Sequence, residues 1–430
     1  MRSVTTAPGI VGARAIAPER FAVSGMMPRF AARPRDRDEL CEIVRAAASD
    51  GLVIVPWGGG TALEREAAPA RYDLALDLGA LNRVVEYEPE DLTLTAECGV
   101  TVATLRATLA ARGQELPLEA AHSARATLGG VLASNASGAR RLRFGSPRDR
   151  ILGARFVLGD GTLARTGGKV VKNVAGYGIH RLLCGSRGGL AIVVDASLKL
   201  LPAPAARAAL IYELDANVIA DAIRWADFAR EEPAALTVVS AAIATGAVNR
   251  TTPAVSAESP PRSGLPGATG RRPFWVVVGL EDDAPRIAEL RATVVRQLGE
   301  PALELAGAQV ATLWGQLADL EESGVTRLTF TGARFTPAAL VPLLDTTHAQ
   351  ACVFHAACGR LHVFADLPRA AEVEPLLADS GFTRIDASGG VPDPRFAPPG
   401  AILALRHRIR AALDPAERFA LGERWVRSTG

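Results

Sequence analysis

Cysteine is scarce in this chain and scattered. Its five residues, Cys41, Cys98, Cys184, Cys352 and Cys358, form no Cys-x-x-Cys pair. That argues against a disulfide framework and against a zinc or iron–sulfur site, and predicts a reduced, cytoplasmic protein with no metal of its own. Long apolar runs are missing as well: nothing approaches the roughly 18 residues of a membrane-spanning helix. The opening stretch MRSVTTAPGIVGARAIAPERF is broken by Pro8, Arg14 and Pro18 and lacks the core of a secretory leader. No charge dominates, since 48 basic residues stand against 46 acidic ones for a net charge of +2. Such a balance lends no support to general nucleic-acid binding. Gly-x-Gly-x-x-Gly, the Rossmann fingerprint, does not occur, no P-loop follows the glycines, and no internal repeat is visible.

What is present is the balance of a folded protein, 48% apolar and 22% charged over 430 residues, enough for two ordinary domains. Asp36 and Glu39 have capping-box spacing, and Leu40, Ile43, Val44 and Ala47 recur on one helical face up to the stop at Gly51. LVIVPW reads as a short buried strand, and YDLALDL as a strand alternating through Leu74, Leu76 and Leu78. TVATLRATLAARG is a second helix, with Val102, Leu105 and Leu109 inward and Gly113 ending it. Helices alternating with strands predict α/β layers over the first two hundred or so residues. Further on, ALTVVSAA, FWVVVGL and the stretch around Leu361 read as strands and Pro285 to Leu298 as a helix, together a separate α+β domain. Residues 248–273, VNRTTPAVSAESPPRSGLPGATGRRP, interrupt it as an insertion too poor in large apolar side chains to order itself.

The chemistry centres on glycine. In VPWGGGT, Gly58, Gly59 and Gly60 follow an aliphatic run, and their amides can converge on one anion such as a pyrophosphate. Alone, such a turn is more often structural. Two more small-residue segments strengthen the case: ATLGGVLASNASGARRLRFGSPRD and GGKVVKNVAGYGIHRLLCGSRGGLAIV. A large flat ligand needs small residues and backbone donors at several points, with hydroxyls and amides such as Thr127, Asn135 and Ser137 fixing its polar groups.

In order and wording these segments resemble the FAD-binding domain of the vanillyl-alcohol-oxidase, or PCMH, type. The likeness is strongest to the FAD-binding E subunits of bacterial glycolate oxidases, and runs from about Arg33 to Pro202. It implies an α+β protein: a PCMH-type two-part α/β FAD-binding domain at 33–203, after an N-terminal segment at 1–32. An α+β cap or substrate domain would span 204–400, and a C-terminal segment, 401–430, would return to the FAD domain. In the family the first loop holds the FAD pyrophosphate, which implies Pro56, Trp57, Gly58, Gly59, Gly60 and Thr61. The second stretch lines the cofactor, which implies Thr127, Gly129, Gly130, Ala133, Asn135, Ser137 and Gly138. Arg148, Asp149, Lys172, Gly176 and Tyr177 match the family wording, and Ile192 lies where the adenine side is wrapped. Because Thr61 stands where some members carry a flavin-linking histidine, non-covalent FAD is implied; His122 reads as a surface or loop histidine. Departures occur at Glu119–Ala120, at Gly178, in GSRGGLAIV and at Ala420–Leu421.

The oxidation centre is harder to see, and no catalytic residue is assigned. Hydride removal from a 2-hydroxy acid needs a base near the hydroxyl and a cation on the carboxylate. His355 and His362 share the spacing of an HxGDGNxH motif in related catalytic subunits, but Cys358 and Arg360 replace its Asp and Asn. If both lay on one strand, that spacing would put them on opposite faces. His355 is therefore the one candidate, with a structural role favoured. The arginines at 140, 141, 143, 148 and 150 are placed to neutralise pyrophosphate or meet an acidic partner, although exposed arginines are usually just solvated. Trp314, on an apolar helical face, reads as core. The expected function is an FAD-dependent oxidoreductase subunit acting on glycolate or a similar 2-hydroxy acid, or relaying its electrons. A paralogous flavin subunit and an iron–sulfur subunit would be its partners, leaving it cytoplasmic or held at the inner membrane face through them. The alternative is a non-catalytic FAD-binding assembly subunit; a stand-alone reductase of the same fold lacks support in the second domain.

Overall fold

The computed structural model describes residues 14–63, 68–169, 177–214, 232–240, 274–320, 326–332, 351–355, 360–365, 382–387 and 400–421. The insertion expected at 248–273 lies outside them, as do Lys172 and Gly176. The chain divides into two compact units, one of 1–136, 146–203 and 389–430, the other of 137–145 and 204–388.

In the first unit, strands β1 (Arg14–Ala15), β2 (Phe30–Arg33), β3 (Ile54–Trp57) and β4 (Leu74–Asp77) form a sheet of order β1-β2-β4-β3. Helix α1 (Arg37–Ser49) starts where Asp36 accepts the Glu39 amide at 2.9 Å, and buries Leu40, Ile43, Val44 and Ala47. The alternation expected in YDLALDL is not what the fold uses: Leu74, Ala75, Leu76 and Asp77 are all buried. The reason is position. β4 lies parallel between β2 and β3, and a central parallel strand is covered on both faces.

The same unit holds β5 (Val84–Glu88), β6 (Thr93–Glu97), β8 (Ile151–Val157), β9 (Leu163–Gly167) and β10 (Ile192–Lys199) as an antiparallel sheet of order β5-β6-β10-β8-β9. A minor pair joins β7 (Gln114–Glu115) to β11 (Leu201–Pro202). Helix α2 (Val102–Ala110) is capped by Thr101 and turns Val102, Leu105 and Leu109 inward. The chain's later end returns here. Ile54 donates to the Arg418 carbonyl at 2.7 Å and accepts from the Ala420 amide at 3.0 Å, which lays Phe419 beside β3.

The second unit is built on eight strands: β12 (Ala206–Leu214), β13 (Ala235–Ser240), β14 (Phe274–Asp282), β15 (Leu303–Ala306), β16 (Thr326–Gly332), β17 (Ala351–His355), β18 (Arg360–Ala365) and β19 (Phe382–Ala387). Their order is β15-β12-β14-β13-β17-β18-β16-β19. One face packs Leu210, Val276, Phe354 and Leu361 against Leu290 and Val294 of helix Ala284–Leu298. The other packs Ile211, Val277, Val353 and Phe364 against Leu313, Trp314 and Leu317 of helix Ala308–Leu320, together with Ala139.

Candidate functional site

Strand β3 ends in a tryptophan whose ring is core. Trp57 meets Phe21 edge to face at 5.1 Å, and its Nε1 donates to the Tyr72 hydroxyl at 2.6 Å. The glycines therefore start from a fixed point. Gly60 turns the chain at φ +77°, where a Cβ would sit 2.8 Å from that ring. A Cβ on Gly58 would overlap Oγ1 of Thr127, and one on Gly59 the carbonyl of Arg125. Absent side chains thus let the loop lie flat on the segment that opens helix α3 (Leu128–Ser134). Among the described residues, the amides of Gly58, Gly59, Gly60 and Thr61 find no acceptor.

Thr127 caps α3, its Oγ1 accepting from the Gly130 amide at 3.3 Å. Gly129 lies against Cys98, whose Cβ would be 2.9 Å from a Cβ at 129. Gly130 has only Thr127 Oγ1 nearby, at 3.4 Å from a built Cβ, so a side chain there would project into the space left by its neighbours. That space is a cavity bordered by Ser186, Arg187, Gly188, Ala191 and Ile192 and, from the returning tail, Leu421. Its lining of small and apolar residues with few polar groups suits a cofactor. Arg187 is the one charged side chain among its described lining residues, matching an anionic group. Burial pushes the Cys98 thiol well up, so it lines the cavity as a neutral group.

Of the expected contacts, Pro56, Trp57, Gly58, Gly59, Gly60, Thr61, Thr127, Gly129, Gly130, Ala133 and Ile192 line this cavity. The others do different work or lie elsewhere. Asn135 ends α3 in the left-handed region, φ 50°, and its Oδ1 accepts from the Arg148 amide at 3.2 Å. Asp149 accepts from the Ser146 amide at 2.7 Å and its hydroxyl at 2.8 Å, closing a capping box. Ser137 and Gly138 belong to the second unit, where Ser137 Oγ accepts from Arg141 at 2.9 Å and Arg360 at 3.1 Å. Tyr177 is 90% exposed. Sequence reasoning passed over Leu78, Cys98, Ser186, Arg187 and Leu421. Ser186 and Arg187 were visible in GSRGG; Leu78 and Cys98 sit in strand-end turns that carry no local signal.

In the second unit the histidines correct the expected geometry. His355 ends β17 and His362 lies on its neighbour β18, so a hairpin, not one strand, separates them. Their rings meet edge to face at 5.7 Å on the same side of the sheet. Each Nδ1 is bonded to a threonine on the adjoining strand, His355 to Thr237 at 3.1 Å and His362 to Thr329 at 3.0 Å. Both are buried, at 1% and 3% exposure. The arginine cluster is corrected as well. Arg140 binds the buried Glu281 at 2.6 Å and Arg143 binds the partly exposed Asp282 at 2.8 Å, so both are ion-paired, and neither is among the described residues that line the cavity. Glu281 also accepts from Trp314 Nε1 at 3.0 Å, which places that indole in the core.

Residues 28–167 match the family model described as FAD binding domain. Glycolate oxidase subunit GlcD of Bacillus subtilis (strain 168) is 35% identical over 185 residues, covering 43% of this chain and 39% of that protein. Glycolate oxidase subunit GlcE of Escherichia coli (strain K12) is 39% identical over 178 residues, covering 41% of this chain and 50% of that one. A D-2-hydroxyglutarate dehydrogenase of Xanthomonas citri is 34% identical over 177 residues, covering 41% and 38%. The chain thus spans half or less of the length of these relatives. A substrate-bound p-cresol methylhydroxylase has the same fold, with TM-score 0.67 at 16% identity over 92% of this chain and 88% of that one. So has an alkyldihydroxyacetonephosphate synthase, with TM-score 0.68 at 16% identity over 92% and 77%. The glycine loop, the small-residue helix and these likenesses converge: the chain carries an FAD-binding domain of the p-cresol methylhydroxylase type, and its cofactor is FAD.

Proposed function

We propose that this chain is a subunit of a glycolate oxidase-like enzyme that oxidises glycolate or a similar 2-hydroxy acid, or relays the electrons so obtained. The observation that carries it is the cavity behind Gly58–Thr127, supported by stretches 34–39% identical to two glycolate oxidase subunits and a D-2-hydroxyglutarate dehydrogenase. When bound, FAD supplies the acceptor for a hydride. The residues of the chain bind and orient it. The amides of Gly58 to Thr61 take the pyrophosphate, Arg187 balances its charge, and the backbone at Ile192 borders the adenine. Ala133, Gly129 and Gly130 keep side chains out of the cofactor's path. With Thr61 where some members of the resembled family carry a flavin-linking histidine, FAD is expected to be held without a covalent bond.

The burial of His355 favours a second reading, in which this subunit binds FAD without starting the reaction and a paralogous flavin subunit and an iron–sulfur subunit complete the complex. Acid precipitation of the yellow protein should leave FAD in the supernatant; colour in the pellet would refute non-covalent binding. Anaerobic glycolate should then bleach the flavin of the isolated chain, with turnover on an artificial acceptor. A flavin that stays oxidised until the partner subunits are added would move the assignment to the second reading.

A further inference from the structure

Helix α3 lines the cofactor cavity with Gly129, Gly130 and Ala133. With only Asn135 and Ala136 intervening, the chain then passes into the second unit for residues 137–145 and returns to the first at Ser146. The two ends of this excursion are tied together. Asn135 turns out of the helix in the left-handed region, and its Oδ1 accepts from the Arg148 amide at 3.2 Å. The amides of Asn135 and Ala136 donate back to the carbonyls of Leu132 and Val131 at 3.1 and 3.2 Å. From the other side, the amides of Gly185 and Arg187 donate to the carbonyls of Leu132 and Ala133 at 3.0 and 2.8 Å. Ala133 and Arg187 both line the cavity. A displacement at Ala136 is therefore passed on to two of its walls.

The far part of the excursion is anchored as firmly. Ala139 packs with Leu313 and Trp314, and Leu142 lies against the cluster that holds Leu210 and Val276. Arg140 binds Glu281 at 2.6 Å, with side-chain exposures of 10% and 0%. Arg143 donates to the Glu281 carbonyl and, at 2.8 Å, to Asp282 Oδ2. These two acids end β14, which runs between β12 and β13 in the sheet. Withdrawing the stretch would strip Glu281 of its nearest cation, and a carboxylate left buried without it is strongly unfavourable because it stays desolvated. Residues 137–145 are thus fixed to β14 at one end and to the last turn of α3 at the other.

We propose that Arg140 is a positioning residue for the cofactor: through residues 137–145 its pair with Glu281 fixes the end of α3, so that FAD affinity and the stability of β14 are linked. The proposal rests on the cavity being the FAD site. Neither Arg140 nor Glu281 is among the described residues that line it, so the effect runs through the chain between them and α3. Such linkage is reciprocal: bound FAD protects β14, and loss of the ion pair weakens FAD.

The test is hydrogen exchange of the full chain with and without saturating FAD, read by mass spectrometry at a denaturant concentration that opens the second unit measurably. Slower exchange is expected both in α3 and in β14. Slowing in α3 with β14 unchanged overturns the linkage alone. Slowing in neither overturns it together with the placement of FAD in this cavity. Arg140→Gln should raise the FAD dissociation constant by about tenfold, within the usual range of couplings between sites, and Glu281→Gln on the same background should restore most of the affinity. A purely structural role predicts otherwise: Arg140→Gln would lower the protection of β14 and leave the FAD dissociation constant at the parent's value, which overturns the proposal. Should Arg140→Gln fail to fold, Arg140→Lys, which keeps the charge and loses the planar fork, makes the same comparison with the same two outcomes.

Discussion

Gly58 and Thr127 are closed on each other so tightly that a single methyl group on the glycine would overlap the threonine hydroxyl. The contact joins the loop after β3 to the residue that caps α3, 69 positions later in the chain, and the cavity lined by the glycine loop opens beside it. Gly58→Ala should weaken FAD binding by roughly tenfold or more, the scale of overpacking a well-filled site. Fluorescence titration measures it, with the fold checked by circular dichroism. Adding Thr127→Ala removes the overlapping oxygen and leaves the Thr127 Cβ 3.2 Å away, so the double variant should recover part of the affinity. Absence of recovery would mean the glycine serves something other than this contact.

The second unit depends on a buried charge. Glu281, fully buried, faces Arg140 at 2.6 Å, Arg207 at 3.7 Å and the Trp314 ring nitrogen at 3.0 Å. Arg140→Ala leaves that carboxylate short of its nearest cation, a loss of about 3–5 kcal/mol for a buried pair. Chemical denaturation should show this in the transition of the second unit, and Glu281→Gln on the same background should return part of it.

His180 makes stability depend on pH. Its Nδ1 lies 3.1 Å from Thr166 Oγ1, and burial, with the nearby charge of Arg181, lowers its pKa below the ordinary 6.5. Below that value the unfolded chain takes up a proton that the folded one refuses, so stability falls as pH drops from 6.5 towards the folded pKa. His180→Gln should flatten that part of the stability profile, measured by denaturant titration at a series of pH values. An unchanged slope would assign it to other groups.

His355 is expected to matter for packing. With Thr237 on one side and the His362 ring on the other, His355→Gln should lower the melting temperature while leaving any glycolate turnover of the assembled complex within about threefold of the parent. That span is less than the two orders of magnitude expected for a lost general base. A fall of that larger size, with the melting temperature unchanged, would make it the base.

Local chemistry was legible from the residues. Asp36 caps α1 because its side-chain oxygen reaches the Glu39 amide three residues ahead, and the glycines after Trp57 advertise a backbone that tolerates no Cβ. Eleven of the cavity's lining positions were readable on that basis, together with the resemblance that tied three distant segments to one cofactor.

What lay outside the sequence was decided by which strands became neighbours. β4 lost its alternation because β2 and β3 flank it in parallel. His355 and His362 share a face because a hairpin put them on paired strands, and strand pairing is a property of register that spacing along the chain does not carry. Arg140 and Glu281, 141 residues apart, found each other only when the 137–145 stretch joined the second unit. The sequence by itself determined where backbone had to be bare and where helices begin, since those demands are met within a few residues. The tertiary structure alone decided which charges are neutralised, which rings meet and which side chains reach the cavity, because burial and distance exist only once remote segments have packed.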